Sequence, residues 1–470
     1  MGLPNSFVVR LNPRTRVLDR GAALLGGSPA RYVRLSAQAR KCLRDREVTV
    51  SDETSARLAD TLLDSGLADP AIDRLPLLEI SYTVVIPVRN RPRELARLLA
   101  SLVQATEAET RPRIIVVDDA SVSPSTTRRI ASQHGAEFLG LAANVGPAGA
   151  RNAGLALVKT QLVVFLDSDL VIGPDTIPTL VKHFHDPTVA VASPRIMGLR
   201  QSDGWIARFE EARSSLDLGP IAGPVRPLSR LSWTSSAVMV ARVEALDTGF
   251  DASMRVGEDV DLVWRLCESG WRVRYEPTSV ARHEHREGFG AWFKRKHDYG
   301  TSAVPLAKKH PNSIAPAIIA PWGVALIVAL LAQRKWSVPV AGGIVAWTIV
   351  RSARQLNSAA NPERLAAYVT LRALGTVSSQ ASALMLKHWW PLTVIGCLFS
   401  RRIRRATLAV AVTDALLDYS RVQPQLDPIR YGAAKTLADI AYGSGVWLAS
   451  IRARTWTALT PQIFRRTGIK

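Results

Sequence analysis

The chain has 470 residues, a net charge of +20 and 47% apolar residues; that length exceeds one ordinary core and predicts two to four units. Residues 301–470 hold 21 Lys or Arg against 5 Asp or Glu, so this third alone carries +16. Its basic excess is interleaved with apolar runs and shows no helix-turn-helix or zinc-finger spacing, which favours anionic membrane lipid and argues against nucleic acid as a partner.

Residues 1 to about 78 alternate β-like runs, Phe7–Leu11 and Ala30–Leu35, with helical periodicity from Glu53 to Leu67. They predict a small α+β unit ending in a linker between Ala68 and Glu79, after Gly66 as a helix stop and where Pro70 and Pro76 interrupt the pattern. The first twenty residues lack the apolar stretch of a secretory signal. Cys42, Cys267 and Cys397 are too widely spaced for a CxxC pair. Reduced thiols and a catalytic part that stays in the cytosol are therefore expected.

From Tyr82 the pattern becomes buried-strand runs followed by helices: Tyr82–Pro87 then Pro92–Gln104, Arg113–Val117 then Ser123–His134, and the strand Leu162–Leu166. Continuous Val and Ile runs with amphipathic helices predict an α/β domain over 79–303 built on an open parallel sheet covered on both faces. Ligands bind such sheets beyond the carboxyl ends of the strands, so polar residues just after each strand are candidates for a site. After the first strand come Pro87, Arg89 and Asn90, with Asn90 a candidate cap for the helix opening at Pro92. After the second come Asp118 and Asp119, able to accept hydrogen bonds from a ribose hydroxyl or a base imide, or simply to cap a helix.

The glycines of Asn144–Gly154 do not follow an amino-terminal strand in dinucleotide-binding spacing. A helix offering the cation of Arg151 and the amide of Asn152 to a phosphorylated, hydroxyl-rich donor is the better reading. The strand Leu162–Leu166 ends in Asp167-Ser168-Asp169. Two carboxylates there can hold a hard divalent cation, magnesium or manganese, that also binds two phosphates, with Ser168 beside the donor. The same spacing recurs at Asp259-Val260-Asp261, so position rather than the triplet carries the signal. Gly257-Glu258-Asp259 opens a helix; its carboxylates either complement the helix dipole or serve as general base, with Asp259 first and Glu258 its rival. His283 or His285 can complete the metal shell from a neighbouring segment, whereas His183 and His185 read as ordinary helix-end residues.

The cluster Trp292–Lys296 mixes aromatic and basic side chains, as at a membrane interface or a lid over a diphosphate. Ile314–Ala332 runs nineteen residues without a charge, long enough to span a membrane. Trp336–Val350 is shorter, equally an interfacial or buried helix, and Trp389–Ser400 is followed by Arg401, Arg402, Arg404 and Arg405. Residues 304–470 are thus expected to form a helical, membrane-associated region.

Taken together, VVIPVRNRP, VVDDAS, NVGPAGARNAG, FLDSD and GEDVDLVWRL, in this order, resemble the inverting family 2 glycosyltransferases of GT-A fold over about residues 80 to 300. The resemblance implies a nucleotide-sugar donor held near Pro87, Arg89 and Asp119, a divalent metal on Asp167 and Asp169, and a base at Asp259. The whole arrangement more closely resembles the mycofactocin-system glycosyltransferases of actinobacteria. That implies β-linked glucose units added from a donor such as UDP-glucose to a peptide-derived redox cofactor or its precursor. The first 75 residues faintly resemble winged-helix modules that bind precursor peptides; a stabilising cap is the alternative. An enzyme making a polyprenyl-phosphate sugar or cell-wall glycan would share every donor-side motif, and a non-enzymatic scaffold would need none of Asp167, Asp169 and Asp259.

Overall fold

The computed structural model describes residues 2–106, 111–199, 204–284, 288–311 and 313–463. The chain divides into two compact units, one of residues 1–201 and 213–285, the other of 202–212 and 286–470.

The first unit opens with an amino-terminal module. Strands β1 (Val8–Leu11), β5 (Glu47–Thr49) and β6 (Ala68–Pro70) form one antiparallel sheet in the order β5-β1-β6, and β2 (Arg16–Leu18), β3 (Ala23–Gly26) and β4 (Arg31–Arg34) form another. Helices α1 (Ala37–Cys42) and α2 (Glu53–Ser65) lie between strands in sequence. The α2 start is fixed by a capping box, with Asp52 Oδ1 accepting from the Ser55 amide at 2.7 Å, and its end by Gly66 at φ +68°. Phe7, Leu24, Leu62, Leu63 and Leu67 fill a core that also takes in Ile72 and Leu75. The expected linker is therefore shorter: Ala68–Pro70 is a strand of the module and the connection begins only after Leu75.

The main sheet uses β7 (Tyr82–Val88), β8 (Arg113–Asp118), β9 (Glu137–Gly140), β10 (Leu162–Leu166), β11 (Leu170–Ile172), β12 (Val189–Leu199), β13 (Gly223–Pro224), β14 (Val238–Arg242) and β15 (Arg272–Glu284). Its path is β11-β15-β12-β14-β10-β7-β8-β9, with β13 added to β15. The half β10-β7-β8-β9 is parallel, as expected, but β14 pairs antiparallel with both β10 and β12, and β11 antiparallel with β15. The sheet is mixed because β14 enters from the carboxyl end of β10, where the Asp167 amide donates to Ala237 O at 2.8 Å.

Around this sheet lie α3 (Pro92–Ala105), α4 (Pro124–Gln133), α5 (Gly146–Leu155), α6 (Thr176–Val181) and α8 (Glu258–Glu268); α7 (Trp205–Ala212) belongs to the second unit. One face of the sheet is sealed by Val84, Ile86, Leu95, Leu98, Leu99, Val116 and Val164, all buried. Helix α5 lies close on β7 and β8 because Gly154 carries no side chain: a Cβ there would stand 2.4 Å from Val85 Cγ1.

The second unit is helical, with α9 (Phe289–Thr301), α10 (Ala303–Lys309), α11 (Pro321–Leu331), α12 (Ser337–Gln355), α13 (Pro362–Ser382), α14 (Trp390–Phe399), α15 (Arg401–Val422) and α16 (Pro428–Ala453). The nineteen-residue apolar run is not one helix: α11 takes only eleven of its residues, about 16 Å at 1.5 Å per residue against a hydrocarbon core of about 30 Å. Among the described residues no helix is long and apolar enough to cross a membrane. Nor is Trp292–Lys296 wholly a surface lid. Trp292 and Lys296 are buried, and both reach Glu210 of α7, through Nε1 and Nζ at 2.8 Å each.

Candidate active site

Three strands running in the same direction deliver their following residues to one edge of the sheet, so Arg89–Arg91, Asp118–Asp119 and Asp167–Asp169 meet there although widely separated in sequence. Asp169 lies at the centre. It pairs with Arg91 on one side and stands 3.3 Å from His283 Nε2 on the other. The antiparallel register of β11 with β15 sets Leu170 opposite His283, and the Glu284 amide donates to Asp169 O at 3.2 Å. Burial opposes ionisation of Asp169, but His283 and Arg91 outweigh it and hold the carboxyl below its usual range. His285, the other imidazole considered, lies outside the described residues.

Asp167 does not face the same way. Its Oδ1 accepts from Arg151 Nη2 at 2.6 Å, and Arg151 Nη1 donates to Glu258 Oε1 at 3.0 Å. The guanidinium is 3% exposed and stacks over Phe250, 5.4 Å from the ring centroid. A buried cation between two carboxylates ties the strand-end Asp167 to the first turn of α8; removing such a partner typically costs about 3–5 kcal/mol. Arg151 is thus spent inside the protein, where the sequence pattern offered it to the donor. Asn152 is spent too: its Nδ2 donates to Phe250 O at 2.7 Å and its Oδ1 accepts from the Phe250 amide at 2.9 Å.

Helix α8 starts at Gly257, whose φ of +85° lets the chain turn sharply and present Glu258 and Asp259 in the first turn. Asp259 is half-buried; its Oδ1 accepts from the Val260 amide at 2.8 Å and its Oδ2 from the Ser236 amide at 3.4 Å. Burial raises its pKa against the pull of Arg151. Glu258 is pushed up to about 7 by burial and by Asp259 beside it, with Arg151 opposing. A carboxyl poised near neutrality is suited to exchanging protons at working pH. Asp261, the last member of the repeated triplet, is fully buried and bonded to Arg265 Nε at 2.9 Å, a structural role.

At the end of β8, Asp119 accepts from the Val145 and Gly146 amides at 2.7 and 3.0 Å and so shapes the turn into α5. Asp118 accepts from the Ser121 amide at 2.7 Å through Oδ1, while its buried Oδ2 has no partner. Asn90 is not the cap of α3: at φ +57° it receives the Val122 amide on Oδ1 at 2.8 Å and joins the two strand-end loops. Arg89 is exposed, Pro87 half-buried and Ser168 buried.

The chemistry of the donor set suits a divalent cation in part. Asp169 and His283 offer oxygen and imidazole ligands side by side, but Asp167 is turned to Arg151, and no group of three or more His, Cys, Asp or Glu side chains converges among the described residues. Sequence reasoning missed Arg91, whose placement before Pro92 reads only as the helix entry, and the Arg97–Glu284 pair at 2.5 Å, which packs α3 against the end of β15.

The family model described as glycosyl transferase family 2 matches residues 83–235, and that of glycosyl transferase family group 2 matches 162–398. The chain is 40% identical to the "Pre-mycofactocin glycosyltransferase" of Mycobacterium tuberculosis, with 98% of each chain covered. It is 23% identical to an "N-acetylglucosaminyltransferase" of Sinorhizobium fredii over 58% of this chain and 67% of that one. Among solved structures, a mannosyltransferase from Pyrobaculum calidifontis in complex with GDP-Man and Mn2+ matches at a TM-score of 0.38 and 19% identity, covering 77% of this chain and 88% of that one. The two family models and the end-to-end similarity across all parts of the chain place the protein: it belongs to the family 2 glycosyltransferases and, within them, to the family of the pre-mycofactocin glycosyltransferase.

Proposed function

We propose that this enzyme is an inverting glucosyltransferase that adds one or more β-linked glucose units from UDP-glucose to the peptide-derived redox cofactor mycofactocin or its precursor. The observation that carries the acceptor is the 40% identity over 98% of both chains, which includes the amino-terminal module and the helical unit as well as the sheet domain. In this reading Asp259 takes the proton of the acceptor hydroxyl as that oxygen attacks the anomeric carbon. The nucleoside diphosphate leaves from the opposite face in a single displacement. Glu258 holds a proton nearby, and Arg151 acts as a positioning residue for the start of α8 through its bond to Glu258. Asp118, Asp119, Pro87, Arg89 and Ser168 line the nucleotide side. A divalent cation would be held by Asp169 and His283, with Asp167 once turned from Arg151, and would supply charge neutralisation for the departing diphosphate.

The amino-terminal module is read as a cap, supported by Arg272, which bonds Asp60 at 3.0 Å and Asp64 at 2.8 Å on α2. Precursor-peptide binding to the full chain that persists at saturating UDP-glucose would give the module a ligand of its own. The enzyme is placed at the cytoplasmic face of the membrane, supported by the basic, apolar character of residues 301–470.

The deciding experiment is a nucleotide-sugar screen with and without divalent metal, using the reduced peptide-derived cofactor as acceptor and mass as readout. Metal-dependent hexose additions that fall about 10²–10⁴-fold in Asp259→Asn are expected. Transfer to polyprenyl phosphate and none to the cofactor would overturn the acceptor; undiminished transfer by Asp259→Asn would overturn the base.

A further inference from the structure

Two turns of the helical unit lie side by side: Gln333, in the turn between α11 and α12, donates through Nε2 to the carbonyl of Arg402, at the start of α15, at 2.7 Å. Each turn is greasy and basic at once. The first exposes Leu330, Leu331, Trp336 and Val338, at 49, 41, 51 and 74%, around Arg334 and Lys335. The second exposes Leu398 and Phe399, at 70 and 86%, beside Arg401, Arg402, Arg404 and Arg405. Arg404 folds back through Nη1 onto the Cys397 carbonyl at 2.7 Å, closing the end of α14. Neither Leu330–Val340 nor Ile395–Leu408 contains an acidic residue.

Bulky apolar side chains left in water at two adjoining turns are costly, and a solvated surface has no use for them. A tip that pairs them with six cations and no anion is complementary to one environment, an interface where acyl chains lie beneath anionic headgroups. Helix lengths set the depth: α11 and α14, of eleven and ten residues, can enter that interface but cannot cross the bilayer.

We propose that the paired turns 330–338 and 398–405 form a monotopic docking tip for an anionic lipid surface, with Trp336, Leu398 and Phe399 inserted among the headgroups and the arginines on the phosphates. This deepens the membrane placement given above and is independent of donor and acceptor.

The test uses the full chain in flotation with vesicles of pure phosphatidylcholine or of phosphatidylcholine with about one-third phosphatidylglycerol. Partitioning onto the anionic vesicles should be at least tenfold stronger and fall steeply between 0.1 and 0.5 M salt. It should drop at least tenfold both in Trp336→Ser/Phe399→Ser and in a variant with Arg401, Arg402, Arg404 and Arg405 changed to Gln. Arg111→Gln/Arg129→Gln, a charge loss on the first unit, should leave it unchanged, and all variants should keep wild-type thermal unfolding. Alkaline carbonate should release the protein from cell membranes. No binding to anionic vesicles, equal binding by the tip variants, or resistance to carbonate would each overturn the proposal, the last in favour of a spanning anchor; transfer assays on a soluble acceptor report on the catalytic reading separately.

Discussion

Strand β15 carries a charged cluster at each end, and the two are built to opposite purposes. At its start Arg272 is surrounded by three carboxylates, Asp60 and Asp64 of α2 and the fully buried Asp186, whose Oδ2 lies 2.8 Å away. Asp186 also accepts from the Thr188 amide and hydroxyl, at 2.9 and 2.6 Å, so Arg272 and Asp186 both have fixed partners. At the other end His283 and Glu284 meet Asp169, Arg91 and Arg97, and the arginines remain about one-third exposed. The first cluster spends its charges on holding the amino-terminal module and the β12–β15 edge together; the second keeps them within reach of solvent. Saturated partners give stability, and partners that a ligand can displace give chemistry.

The contrast breaks apart under substitution. Asp169→Asn should lower transfer by about 10²-fold or more, by weakening the hold on the cation that would neutralise the departing diphosphate, while the thermal midpoint falls less than in Asp186→Asn, because Arg91 stays one-third exposed to water; equal loss of stability in the two variants would erase the distinction. Asp186→Asn should do the reverse. By removing the one fully buried partner of Arg272 and leaving it only Asp60 and Asp64, it should cost about 1–3 kcal/mol of unfolding free energy in urea, with activity per folded molecule close to wild type.

A smaller effect sharpens the picture at α8. The Glu258 carboxyl is raised from 4.5 to about 7 in the folded chain, so between those values the folded state binds the extra proton and the unfolded state does not. Stability contributed by this group is therefore present below about pH 4.5 and lost as pH rises through about 7. Thermal midpoints should fall across that window in wild type and fall less in Glu258→Gln; identical slopes would remove Glu258 as the titrating group. Smallest of all, Arg57→Ala breaks an i,i+4 pair with Glu53 in which both side chains are 79% exposed, and should change stability by about 0.5 kcal/mol at most. A larger loss would mean that the outer face of α2 is covered in the functional protein.

Much of the catalytic scaffold was legible in the residues because its signals are local. Runs of Val and Ile followed by helices located β7, β8 and β10 within a residue or so, and the acidic pairs after them landed on one sheet edge, as parallel strands require. The apolar run Ile314–Ala332 misled because hydropathy counts side chains and does not see that the backbone becomes helical only at Pro321. The linker was begun too early, at Ala68, because Pro70 looked like a breaker, while as the last residue of β6 it is tolerated opposite Val9.

What the sequence by itself determined was the order of strands and helices and which chemical groups stand at their ends, since both follow from short-range periodicity and from turn chemistry. Which of those groups face one another was decided only by the tertiary structure. Asp119, Arg151 and Asn152 read alike as ligands in the chain, yet folding turns Asp119 to two loop amides, Arg151 to Asp167 and Glu258, and Asn152 to the Phe250 backbone. It also sets Arg91 and His283 on either side of Asp169. The physical reason is that a buried charge or amide must be paired, and its partner is supplied by whatever strand the sheet brings alongside, at separations that no local pattern records.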